Sequence, residues 1–140
     1  MLSRSLKFLT LAILSLFVAA TVAAQNMPAG DAAKVLADFP KDIPIYKNAK
    51  LSASGPWMGD PTLGKSYRFD TADALDAVQS FYKQQLPANG WAITKNSYVA
   101  NPNTITVTKG SRTAMVSPNR VAGKGNVQVT RIEVILLATK

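Results

Sequence analysis

The stretch from Asp70 to Trp91, DTADALDAVQSFYKQQLPANGW, contains an abrupt change of hydrophobic period, and nothing else in the chain constrains the fold as strongly. Ala74, Leu75, Val78, Phe81, Tyr82 and Leu86 recur at steps of three and four, which puts one broad apolar stripe on a helix from Thr71 to Leu86. Thr71, or Asp70 before it, suits the N-cap, and Asp73 suits the positive end of the helix dipole. Pro87 has no N–H to continue the ladder, and Asn89-Gly90 tolerates the backbone torsions of a reversal. Beyond Gly90 the period falls to two: Trp91 and Ile93 share one side of a strand, and Trp91 is expected to anchor the contact between helix and sheet.

The flanking segments repeat the strand pattern. Lys50–Ser54 reads as a first strand and Ser66–Phe69 as a second, separated by SGPWMGDPTLGK, a loop dense in glycine and proline. TITVTKGSRTAMVS reads as a hairpin turning at Lys109-Gly110-Ser111 and returning over Thr113–Ser117, with PNRVAGKGN as a second loop. Asn126–Ala138 is a last long strand. Its phase slips, since Val127 and Val129 share one parity and Ile132, Val134 and Leu136 the other, so a bulge near Thr130-Arg131 is expected. The expected fold is therefore α+β: an antiparallel sheet of about five strands with one main helix on one face.

Before this domain, Arg4 and Lys7 precede an uncharged apolar run, Phe8–Ala24, that ends in small residues, which is the pattern of a signal peptide over residues 1–24. Residues 25–37 then form an N-terminal segment with a short helix capped by Asp31, and residues 38–140 form a single α+β domain. Export implies a periplasmic or secreted protein with no stable transmembrane segment after cleavage. The chain has no cysteine, so neither a disulfide nor a lipid-bearing thiol supports it, and the hydrophobic core carries stability alone.

Charge is unevenly distributed. Without Arg4 and Lys7 the chain keeps 14 of its 16 Lys and Arg against 8 Asp and Glu, a net +6. That whole excess lies from Gly90 onward, where Lys95, Lys109, Arg112, Arg120, Lys124, Arg131 and Lys140 face Glu133 alone. Lys109, Arg112, Arg120, Lys124 and Arg131 are the candidate residues of a basic sheet face or edge. Edge-strand lysines also guard against aggregation, which is the structural alternative. Trp57 and Met58 are the second candidates, because a loop with no periodic pattern displays them; the alternative is that Trp57 folds down over the end of the sheet.

Chemistry is narrowed by the absence of both histidine and cysteine, which removes the commonest base, metal ligand and nucleophile. Asp70, Asp73 and Asp76 read as helix-start residues rather than a calcium loop, and Gly123-Lys124-Gly125 lacks the spacing of a phosphate cradle. No catalytic residue, metal ligand or cofactor is assigned, and a small enzyme is disfavoured. Nucleic acid is disfavoured too, since aromatic and basic residues do not interleave.

IPIYKNAKL, SFYKQQLPANGW and TVTKGSRTAMV together resemble a group of small, functionally uncharacterised exported bacterial α+β domains. These pair a Pro-x-Tyr-x-x-Ala lead-in with a Phe-Tyr-Lys helix and a Gly-Trp strand. The resemblance covers roughly Asp38 to Lys140 and implies a fold and an envelope location without an activity. The expected function is a non-enzymatic envelope binding module that takes anionic envelope components, or another envelope protein, on its basic sheet face. A hydrophobic-ligand carrier with a pocket between helix and sheet is the alternative.

Overall fold

The computed structural model describes residues 29–94 and 101–140. The expected leader, residues 1–24, and Lys95 lie outside the described residues. The elements are α1 (Ala29–Ala37), β1 (Lys50–Pro56), β2 (Gly64–Thr71), α2 (Leu75–Ala88), β3 (Ala92–Thr94), β4 (Ile105–Lys109), β5 (Arg112–Ala122) and β6 (Gln128–Leu137). The sheet has six strands in the order β1-β2-β6-β5-β4-β3, with every neighbouring pair antiparallel. This is the expected α+β architecture with one strand more than expected. No helix among the described residues is long and apolar enough to cross a membrane.

The helices lie on one face of the sheet. Register aligns Tyr67, Val134, Val116 and Ile105 in one row across β2, β6, β5 and β4, and all four are buried. Val78, Tyr82 and Leu86 of α2 meet this face with no exposed surface, a stripe at four-residue spacing that is narrower than the sequence pattern suggests. Phe39, just after α1, meets Tyr67 and Phe69 edge-on at 4.9 and 5.5 Å, while Phe81 does the same with Tyr46 and Tyr82 at 5.1 Å each. Such T-shaped pairs bring the positive ring edge to the negative ring face.

Several local expectations are corrected. Helix α2 starts at Leu75, with Ala74 at its N-cap and no side chain capping it. Thr71 completes β2 instead, and Asp70 pairs across the sheet with Arg131. Pro87 lies inside the last turn of α2, and the true stop is a Schellman-type closure: Gly90 N–H donates to Pro87 O at 3.0 Å and Trp91 N–H to Leu86 O at 3.0 Å. Gly90 takes the positive φ, +86°, that this closure requires. The residue after such a glycine characteristically packs back on the helix's last turn, which explains why Trp91 directly follows Pro-Ala-Asn-Gly; Trp91 and Leu86 are both buried in the core.

Strand β3 is only three residues long, and Ile93 is half-exposed rather than sharing Trp91's burial. Strand β5 runs through Pro118 to Ala122, where a loop was expected. Pro118 pairs with Ile132 of β6, but β4 already ends opposite Val116, so the missing N–H interrupts no ladder on that side. Strand β6 keeps continuous register with both neighbours and has no bulge; Val127 simply precedes it, exposed. The bulge falls in β1, between Leu51 and Ala53.

Candidate functional site

The strand register sorts the candidate residues by their place along the sheet. Gly64 pairs with Leu137, and Leu136 with Ala114, so the β1–β2 connection, the end of β6 and the β4–β5 turn all lie at one end. The β5–β6 connection lies at the other end, beside Thr71, which pairs with Thr130.

At the first end, Lys109 and Arg112 flank the two-residue turn Gly110-Ser111 and converge on Asp42. Arg112 donates to both carboxylate oxygens at 2.7 and 3.1 Å, and Lys109 Nζ donates to the same carboxylate at 2.9 Å and to Asn89 O at 2.9 Å. Trp91 lies beneath them: its Nε1–H donates to Asp42 O at 2.9 Å, and the Arg112 guanidinium sits 4.8 Å from the ring centroid. This planar fork on a carboxylate and an aromatic face is the geometry that favours arginine over lysine.

The Arg112 hydrogen bonds, opposed by desolvation and aided by Lys109, hold the Asp42 pKa down at about 2. A depressed carboxylate stabilises the fold above its unfolded pKa, and that contribution is lost as pH falls through the folded value. Asp42 and its partners are a quarter to two-fifths exposed, so screening reduces the contribution to about 1 to 2 kcal/mol. Asp42→Asn should lower stability by about that amount at pH 7, and the difference from wild type should shrink between pH 4 and pH 2. Urea titrations across that range check it; a difference independent of pH would refute the ion-pair account.

The same end carries Trp57 and Met58 in a tight turn, Trp57–Gly59. Trp57 is half-buried, whereas Met58 is 78% exposed and Leu63 43%. Met58 is also held at a φ of +53°, a left-handed torsion that is uncommon for a residue with a side chain. Asp60 secures the turn by accepting from Thr62 N–H and Oγ1–H at 2.8 and 2.6 Å, and these bonds lower its pKa. A shallow, mainly apolar depression of about 440 Å³ lies alongside, lined in part by Pro56, Pro61, Leu136 and Ala138, with Lys65 at its rim.

Arg120, Lys124 and Arg131 lie toward the opposite end. Arg131 forms a two-pronged pair with Asp70 at 2.9 and 3.0 Å. Arg120 donates to Asp73 O and Thr130 Oγ1 at 3.3 and 3.0 Å, while Lys124 Nζ is buried with no hydrogen-bond partner. The five cations are thus divided, two at the end that carries Trp57 and Met58 and three toward the other. Leu63 and Asp42 belong to the first group and went unmarked in the sequence, because nothing local distinguishes a leucine in a glycine-rich loop or an aspartate before Ile-Pro.

The carboxylates likewise go separate ways. Asp70 meets Arg131, Asp73 accepts from Tyr46 Oη–H at 2.6 Å and Asn48 Nδ2–H at 3.0 Å, and Asp76 occupies the first turn of α2. The Tyr46 bond is the main reason that the Asp73 pKa is lowered. No group of three or more residues suited to hold a metal occurs among the described residues. Val78, Tyr82 and Leu86 of α2 are fully buried against the sheet.

A family model described as START domain-like matches residues 53–129, from within β1 to the beginning of β6. No curated protein and no solved structure matches the chain.

Proposed function

From the premise that this chain belongs to the START domain-like family, we propose that it is a non-enzymatic binding module of the cell envelope, exported to the periplasm or beyond, that docks on anionic lipid-like material. The family match is compatible with a ligand-binding fold and supports the binding part of this reading. The lack of histidine and cysteine supports the non-enzymatic part.

One observation carries the choice of surface: the register brings the exposed Met58 and Leu63 to the same end as Lys109 and Arg112. Lys65 lies beside the turn and Lys140 three residues past β6, so both add to Lys109 and Arg112 there. Each basic side chain near an anionic surface adds roughly 1 kcal/mol, and each apolar side chain buried in the headgroup boundary adds roughly 1.5 to 3 kcal/mol. Neither contribution suffices alone; together they give reversible binding.

The chain from Gln25 onward should therefore bind vesicles containing phosphatidylglycerol and bind pure phosphatidylcholine weakly. The double variant Met58→Asp/Leu63→Asp should bind at least tenfold less, and raising the salt from low to about 0.5 M should release the wild type. Equal binding to both vesicle types, or full binding by the variant, would rule the surface out.

A further inference from the structure

A second opening lies at the opposite edge of the sheet, beside α2. It is a cleft of about 510 Å³, in the size range of small-molecule sites, between Gln79 and Lys83 of α2, the edge residues Ile93 and Thr94, and the turn that leads into Ile105.

Its polar wall is built in advance. Gln79 Nε2–H donates to Asn103 Oδ1 at 3.0 Å, clipping α2 to the turn. Asn103 N–H donates to Asn101 Oδ1 at 2.9 Å, and Asn101 Nδ2–H donates to Asn119 Oδ1 at 2.8 Å, tying the turn to β5. These bonds hold the amides in place, so they shape the cleft rather than search for a ligand.

Two features of the cleft bear on what it could hold. Ile93 is 47% exposed although it sits in a strand, and it leaves an apolar surface on the cleft wall. Lys83 lines the cleft, and among the described residues it forms no ion pair. None of the acidic residues lines this opening.

We infer that the cleft is a binding site for a small aliphatic carboxylate, with the anion at Lys83 and the hydrocarbon on Ile93 and the edge of β4. Lys83 selects the charge, because an ammonium favours an anion and repels a cation. The exposed isoleucine selects an aliphatic body. This site is separate from the vesicle-docking end and does not depend on it.

The test is a titration of the protein with hexanoate, followed by amide chemical shifts in NMR, with hexan-1-ol and hexylamine as the uncharged and cationic counterparts. A ligand this small should bind with a dissociation constant on the order of 1 mM. Shifts should saturate at Lys83, Ile93 and Thr106. Lys83→Gln should weaken hexanoate about tenfold and leave hexan-1-ol unchanged, since a charge-assisted contact of this kind supplies about that factor. Ile93→Asn should weaken both, and the Met58→Asp/Leu63→Asp variant should bind hexanoate like wild type. Lys83 and Ile93 are exposed, so both variants should keep the wild-type far-ultraviolet circular dichroism. Equal binding of the three ligands, an unchanged affinity in Lys83→Gln, or shifts scattered away from the cleft would overturn the assignment.

Discussion

Trp91→Ala should remove about 3 to 5 kcal/mol of stability, the usual cost of deleting a large buried aromatic, and that is a large part of the 5 to 15 kcal/mol that holds a domain of this size. Three contributions disappear together. The ring is 2% exposed and fills the corner where α2 ends, so its loss leaves a cavity next to Leu86. The Nε1–H bond to Asp42 O goes, leaving a partly buried carbonyl without its donor. The platform under Arg112 goes too, so the fork on Asp42 loses the surface that orients it. Trp91→Phe separates these contributions: it keeps most of the packing and loses the hydrogen bond, and should cost about 1 to 2 kcal/mol. Urea unfolding followed by circular dichroism measures both. A cost below 1 kcal/mol for the alanine variant would mean that this corner does not depend on the tryptophan.

Gly64→Ala should be nearly as damaging, on the order of 3 kcal/mol or more, although it adds a single methyl group. Gly64 opens β2 at a φ of +141°, a torsion that L side chains rarely adopt. A Cβ built there would run into the carbonyl oxygen of Leu136 on β6, which is backbone and cannot swing aside. The sheet would have to separate where β2 joins β6, the ladder that brings the C-terminal strand into the centre. Gly55→Ala is the control: a Cβ at Gly55 meets nothing within 4 Å, so that change should stay within about 0.5 kcal/mol. Similar losses at the two positions would point to chain entropy instead of the clash.

Gly64 and Gly55 look alike in the sequence, both flanking the same loop, and only the strand facing one of them tells them apart. The same contrast runs through the molecule. Helix α2, the alternating strands and a hairpin turn around Gly110 are legible because their signals act within a few residues. Burial of Trp91 is legible for the same reason, since a helix stop followed by a large aromatic has few other uses. Pro118 is misleading locally, because its acceptability depends on where β4 ends. The phase slip in β6 is misleading too: Val127 precedes the strand and needs no bulge to place it.

Charge is the least legible layer. The sequence shows how many cations the C-terminal half holds but not which carboxylate each meets. Asp42 and Arg112 are 70 residues apart and Asp70 and Arg131 61; the first pair forms where the segment after α1 meets the β4–β5 turn, the second where β2 pairs with β6. By itself the sequence determined the kinds of element, the aromatic anchor and the want of histidine and cysteine chemistry. Tertiary structure alone decided that β6 is central, that the basic residues divide between two ends, and that Met58 and Leu63 share an end with Lys109 and Arg112. Hydrophobic period is written within one or two turns of chain, whereas strand partners are selected by the whole core at once, and a side chain's neighbours follow from that selection.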